Sequence, residues 1–183
     1  MLVLLDRDGV INEDRADFVK SPDELVFIPG ALEAIATLNS RGHKVVIVTN
    51  QSCIGRGLIT LETLDNIHGK LKSALKAKGG RLDDILIAPD APWAATENRK
   101  PGAGMILEAL TRFREQPRNT VLVGDSKRDL QAACIAGCHR ILVQTGKGRA
   151  TQSEGLDRAL LPVSIARDLT EAVTFIGEGR FTP

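Results

Sequence analysis

The chain has 183 residues, 43% hydrophobic and 26% charged, with a formal net charge of +1. This is the composition of a globular domain able to bury roughly 70% of its unfolded surface without a staple. No basic tract stands out and aromatic residues make up 3%, which excludes a nucleic-acid surface built on clustered positive charge and stacking rings. The length predicts a single domain over 1–183, and three cysteines (Cys53, Cys134, Cys138) without a CxxC, no apolar run of spanning length and no basic leader point to a reducing compartment. The protein is expected to be cytoplasmic, with no membrane or nucleic-acid partner, and to be a monomer.

The opening "MLVLL" is an apolar run that predicts a buried strand, and "DRDG" follows it at once, from Asp6 to Gly9. Ala31–Ser40 has helical spacing at Leu32, Ile35, Ala36 and Leu38, with Gly42 just past its end. Lys44–Asn50 ("KVVIVTN") is a β-branched second strand. Thr60 then caps a helix that runs to about Lys78. Residues 85–88 form a third strand, and 102–113 a helix following Pro101. Thr120–Gly124 ("TVLVG") is a fourth strand, and 127–136 a helix closed by Gly137, with Cys134 and Cys138 spaced to share a face. Residues 140–144 form a fifth strand, and "SIARDLTEAVTFI", from Ser164, reads as the last helix, capped by Asp168 or Ser164. Apolar strands alternating with amphipathic helices predict an α/β fold, a parallel sheet flanked by helices on both faces. Ligands of such sheets lie beyond the carboxyl ends of the strands. The long connection 13–29 is expected to form a flap over that edge, and 88–98 is the other long loop.

The residues just past the strands make one short set. Asp6 and Asp8 follow the first strand, and Thr49, Asn50, Gln51 and Ser52 close the second. Arg99 and Lys100 precede Pro101. Gly124, Asp125 and Ser126 end the fourth strand, with Asp129 one helical turn on, and "TGKG" (145–148) follows the fifth. Asp6, Asp8 and Asp125 would converge on one edge, where mutual repulsion calls for a cation. Hard carboxylate oxygens without His or Cys suit Mg²⁺. The Thr49 hydroxyl and Lys100 ammonium beside that cation suit a phosphoryl group. One carboxylate can then act as nucleophile and the other as acid and base.

This constellation resembles the haloacid-dehalogenase-like (HAD) phosphatase superfamily, through "DRDGV" at 6–10, "VTN" at 48–50, "RKP" at 99–101 and "GDSKRD" at 124–129. More narrowly, "DRDGVIN", "TNQS" with the following "GRG", "RKP" and "TGKG" resemble the branch of the heptose-bisphosphate and histidinol-phosphate phosphatases. The resemblance implies a Rossmann-like HAD fold without a large cap domain. It implies Asp6 as nucleophile, forming an aspartyl phosphate, and Asp8 as general acid and base. It places Mg²⁺ on Asp6, the Asp8 backbone carbonyl and Asp125. Thr49 and Lys100 would hold the phosphoryl oxygens. Asn50, Gln51, Ser52, Arg56 and Arg99 would face the rest of a small sugar-phosphate substrate. The activity implied is hydrolysis of a sugar bisphosphate in heptose biosynthesis for cell-surface polysaccharide, with histidinol phosphate as the alternative substrate.

Members of that branch often carry a zinc loop of Cys and His ahead of "RKP". The corresponding stretch here, "APDAPWAATENRKP", has neither residue, so no zinc is expected and Pro89, Pro92 and Trp93 are expected to hold the loop by packing. Singly, the same features have plainer readings. A lone DxD is common in turns, Thr49 could be a helix cap, Lys100 a solvated charge and "TGKG" a glycine turn. Asp129 reads as a supporting carboxylate at a helix start. His43, His68 and His139 have no metal-ligand spacing and read as surface or packing residues. A phosphate-receiving regulatory domain also gathers aspartates, a threonine and a lysine, but its phosphoacceptor follows the third strand, whereas here the acidic pair follows the first.

Overall fold

In a computed structural model that describes residues 1–180, the apolar runs become a six-stranded, all-parallel sheet. Its strands are β1 (Leu2–Leu5), β2 (Lys44–Asn50), β3 (Asp84–Ala88), β4 (Thr120–Gly124), β5 (His139–Val143) and β6 (Ser164–Ala166), in spatial order β3-β2-β1-β4-β5-β6. β1 pairs with β2 on one side (Leu2 opposite Lys44) and with β4 on the other (Leu2 opposite Thr120). The chain therefore leaves β1 in one direction and returns beside it from the other. This reversal of strand order opens a crevice beyond the carboxyl ends of β1 and β4.

Because side chains alternate along a strand, each strand feeds two cores. Val3, Leu5, Val45, Ile47, Val121 and Val123 pack on one face against α1 (Ala31–Ser40), α3 (Leu61–Ala77) and α7 (Leu169–Glu178). Leu2, Leu4, Val46, Val48 and Leu122 pack on the other against α4 (Gly104–Phe113) and α5 (Lys127–Ile135). Two short helices, α2 (Ser52–Gly55) and α6 (Gly148–Ser153), follow β2 and β5 directly. Thr60 caps α3 as expected, its hydroxyl accepting the Thr63 N–H. There is no additional domain between the strands, in keeping with the capless arrangement.

Two expectations are corrected. Residues 164–166 form β6, the edge strand beside β5, with Ser164 opposite Ile141, and the last helix starts only after its cap, Asp168. "SIA" also fits a helical period, and three residues carry too little pattern to tell. Cys138 lies beyond the end of α5 and packs in the core under the sheet, while Cys134 faces the satellite cluster of Leu130, Leu142 and Leu160. Gly137, at φ +72°, turns the chain between them, so the two cysteines share no face. No helix among the described residues is long and apolar enough to cross a membrane.

Candidate active site

The crevice at the β1/β4 edge is a cavity of about 600 Å³. The strand-end residues Asp6, Asp8, Thr49, Asn50, Gln51, Ser52, Arg56, Arg99, Lys100 and Asp125 all reach it. Its floor is a charge cluster. Lys100 Nζ lies 3.0 Å from Asp6 Oδ1 and 2.5 Å from Asp129 Oδ1, and donates to the Val48 carbonyl at 2.8 Å. The lysine is 2% exposed and Asp129 fully buried. The ammonium is thus fixed by three acceptors from three elements and aims at Asp6 from the side. Burial opposes its charge, but Asp129 and Asp6 together hold its pKa above the usual lysine value.

Asp125 is clamped from all round. Lys147 N–H donates to its Oδ2 at 2.8 Å, and the Thr151 hydroxyl donates to its backbone carbonyl at 2.9 Å. Gly9 and Gly146 meet back to back over the same oxygen. A Cβ on Gly9 would stand 2.1 Å from Asp125 Oδ2, and one on Gly146 would stand 2.2 Å from it, so both positions exclude any side chain. Both also have positive φ, +83° and +54°, the region glycine enters without strain. Thr145 Oγ1, donating to the Gly9 carbonyl at 2.6 Å, ties the two turns together. "TGKG" is therefore the support of Asp125. The Lys147 side chain reaches across the mouth to Asp14 of the flap, at 2.8 Å.

Oxygens of Asp6, Asp125 and Asp129 lie within 4.8 Å of one another. Burial, eased by Lys100 but reinforced by Asp129 and Asp8, pushes the Asp6 carboxyl up to about 6. Burial together with Asp6 and Asp129 pushes Asp125 up to about 7. Crowded carboxylates that resist ionisation in this way form a site for a hard divalent cation, and the donor set of oxygens alone fits Mg²⁺.

The Asp8 carboxylate stands outside that group. Arg7 grips it with a fork (Nη2 to Oδ1 at 2.9 Å and to Oδ2 at 3.0 Å), and Asn12 Nδ2 and Gln51 Nε2 each add a donor at 2.9 Å. Burial raises its pKa, but Arg7, Asn12 and Gln51 outweigh that and hold it below the usual carboxylate value. Gln51 is 2% exposed, and its Nε2 also donates to Thr49 Oγ1. Its amide is occupied by the Asp8 carboxylate. Asn50 is occupied likewise, donating to the Lys100 carbonyl and accepting the Lys100 N–H, both at 3.0 Å. It fixes the backbone that carries the lysine.

The far wall is cationic. Arg56, Arg99 and Arg128 line it, with Arg15 on the flap. Burial first, then the nearby charges of Arg128 and Arg56, hold the Arg99 pKa below the ordinary guanidinium value. The 88–98 loop is not held as expected. Trp93 is 72% exposed. Instead Asp90 accepts the Thr96 N–H at 3.0 Å and its hydroxyl at 2.5 Å, Arg99 Nη1 donates to the Asp90 carbonyl at 2.9 Å, and Arg56 lies between the Trp93 and Phe18 rings, 5.0 and 5.8 Å from their centroids. A brace of polar contacts and cation–π stacking by the Arg56 guanidinium replaces apolar packing.

Arg7, Arg128 and the flap residues Asp14, Arg15 and Phe18 do not stand out in the sequence as parts of the site. Arg128 sits one residue before Asp129 in "GDSKRD", which is the signal for it, whereas nothing local marks the flap positions. Lys127, beside them, points away and pairs with Asp157 at 2.8 Å.

A HAD-hydrolase-like family model matches residues 97–172. The chain is 47% identical over 154 residues to a D-glycero-beta-D-manno-heptose-1,7-bisphosphate 7-phosphatase of Bordetella bronchiseptica, covering 84% of this chain and 86% of that protein. It is 39% identical to the Pseudomonas putida enzyme of the same name, covering 92% and 98%. Among solved structures, the D,D-heptose 1,7-bisphosphate phosphatase of B. bronchiseptica, crystallised with magnesium and phosphate, superposes with a TM-score of 0.92 at 42% identity, over 97% of this chain and 98% of that one.

Proposed function

Since the chain belongs to the heptose-1,7-bisphosphate 7-phosphatase family of HAD-like hydrolases, we propose that its cavity removes the 7-phosphate of D-glycero-D-manno-heptose 1,7-bisphosphate with Mg²⁺ as cofactor. The observation that supports the chemistry is the floor of the cavity: Asp6 beside a buried lysine, Asp125 clamped next to it, and Asp8 turned onto a separate set of donors. Asp6, the Asp8 backbone carbonyl and Asp125 would hold the ion, which when bound neutralises the crowded carboxylates and the phosphoryl oxygens.

An Asp6 carboxylate oxygen attacks phosphorus. The P–O bond to C7 breaks, and Asp8 gives its proton to the departing alkoxide. Water then attacks the aspartyl phosphate, Asp8 takes a proton from it, and the bond from Asp6 to phosphorus breaks to release inorganic phosphate. Thr49 would offer its hydroxyl to a phosphoryl oxygen, while Lys100, its N–H groups taken by Asp6, Asp129 and the Val48 carbonyl, would keep Asp6 oriented and favour the transferring phosphoryl group by its charge.

The substrate assignment is supported by the wall of Arg56, Arg99 and Arg128, which offers more positive charge than one phosphate uses. Phosphate release with Mg²⁺ tests it. Heptose 1,7-bisphosphate is expected to show a much higher kcat/KM than histidinol phosphate, and an equal or reversed preference would move the assignment to the latter. We also propose that the protein acts as a monomer in the cytoplasm.

A further inference from the structure

Arg7 stands between the two carboxylates of the first motif, yet the reaction above gives it no step. Its side chain is fully buried. A guanidinium only donates and keeps its charge in proteins, so a buried one needs acceptors for its fork. Asp8 takes Nε at 3.3 Å and Nη2 at 2.9 Å on one oxygen, and Nη2 again at 3.0 Å on the other. Gln51 Oε1 takes Nη2 at 3.3 Å. On the opposite side Nη1 lies 3.2 Å from Nε2 of His68, a 5%-exposed residue of α3. Because arginine has nothing to accept with, the His68 ring must present a lone pair there and carry its proton on Nδ1. The fork is therefore aimed by the β2–α2 turn and by α3, far from it in sequence, and its remaining side-chain hydrogen bonds go to one carboxylate.

We propose that Arg7, aimed by His68 and Gln51, is a positioning residue that fixes the Asp8 carboxylate at the angle from which it exchanges a proton with leaving group and water. The inference rests on the phosphatase reading, in which Asp8 handles that proton. Without the fork, Asp8 keeps the Asn12 and Gln51 donors but can rotate, and a misplacement of about 1 Å costs on the order of 10²-fold in rate. The loss should fall on proton-transfer steps alone. Attack of Asp6 on an aryl phosphate whose leaving group departs as a stable anion needs no proton from Asp8.

The test compares wild type, Arg7→Lys, His68→Leu and His68→Gln, all with Mg²⁺. It reads steady-state kcat and KM on heptose 1,7-bisphosphate, and the first-turnover burst of nitrophenolate from p-nitrophenyl phosphate by rapid quench. Arg7→Lys keeps the charge but cannot form the fork. Its kcat should fall about 10²-fold with KM nearly unchanged and the burst rate retained. His68→Leu should show the same split to a smaller degree, and His68→Gln, which restores an acceptor for Nη1, should return toward wild type. Equal losses in burst and steady state, or wild-type kcat in both Arg7→Lys and His68→Leu, would overturn the proposal. Should Arg7→Lys fail to fold, the His68 pair decides by the same criteria. A wild-type protein that releases phosphate from neither substrate would instead refute the phosphatase reading, and the inference with it.

Discussion

Asp125→Asn should abolish turnover and yet stabilise the metal-free protein, most strongly at alkaline pH. Burial and the charges of Asp6 and Asp129 raise the Asp125 carboxyl from 3.8 to about 7 in the folded state. A carboxyl raised on folding contributes its full stability below pH 3.8 and loses it as pH climbs through 7. Three pH units correspond to about 4 kcal/mol at pH 8 and to somewhat over 1 kcal/mol at pH 5, at 1.36 kcal/mol per unit. Asparagine keeps the shape and an acceptor for the Lys147 N–H, but it has no charge to desolvate. In EDTA, Asp125→Asn should therefore gain about 3 kcal/mol more over wild type at pH 8 than at pH 5. The buried His68, pushed down to about 4 by burial and by Arg7, titrates with the opposite sign over part of this range. It is common to both proteins and cancels in the comparison. Urea unfolding at the two pH values, with EDTA and again with Mg²⁺, reads the effect. Mg²⁺ should raise wild-type stability toward that of the variant and leave the variant unmoved. A variant destabilised alike at both pH values, or stabilised by Mg²⁺ as much as wild type, would refute the picture of a crowded carboxylate site that a cation relieves.

Gly146→Ala should lower kcat by about 10²-fold or more, because its Cβ would sit 2.2 Å from Asp125 Oδ2 and 2.5 Å from the Gly9 Cα; a Mg²⁺ titration of activity shows whether the loss comes with weakened metal dependence. Asp6→Asn should form no phosphoryl adduct by acid quench and intact mass, whereas Asp8→Asn should still be phosphorylated by p-nitrophenyl phosphate and turn over about 10²–10⁴-fold more slowly; an adduct on the Asp6 variant would overturn the assignment. Residues 88–98 contain neither Cys nor His, so elemental analysis should find zinc well below stoichiometric, and a tightly held equivalent would contradict the reading of that loop.

The parts of this site that follow strands were legible because strand ends are marked by composition. Continuous apolar runs stop at Asp6, Thr49 and Asp125, and the parallel topology then brings those ends to one edge. β6 was not legible, being three residues long at the sheet margin. Asp129 could be placed at a helix start, where it accepts Ser126 N–H and Oγ, but its contact with Lys100 spans 29 positions and no local pattern encodes it. Arg7 was hidden by the strand rule itself. Alternation puts it on the side opposite Asp6 and Asp8, but β1 ends at Leu5 and the Arg7 carbonyl already accepts from the N–H groups of Val10, Ile11 and Asn12. The chain has become a tight turn, and in that turn a neighbouring side chain can fold back onto Asp8.

That turn gives two carboxylates two residues apart opposite surroundings. Asp6 faces burial and two other acids, which push its pKa up and leave it in want of a cation. Asp8 faces a guanidinium fork and two amides, which hold it ionised. Environments that drive two such groups apart set up a division of labour. In the proposed reaction, a cation on the Asp6 side would lower that carboxyl and keep it anionic for attack. On the other side, the negative charge of a phosphoryl group next to Asp8 would oppose the field of Arg7 and shift the Asp8 pKa upward. In that reaction, Asp8 would then hold its proton in the loaded site and act as base once the alcohol has left, which is the order in which the two half-reactions would need the two roles.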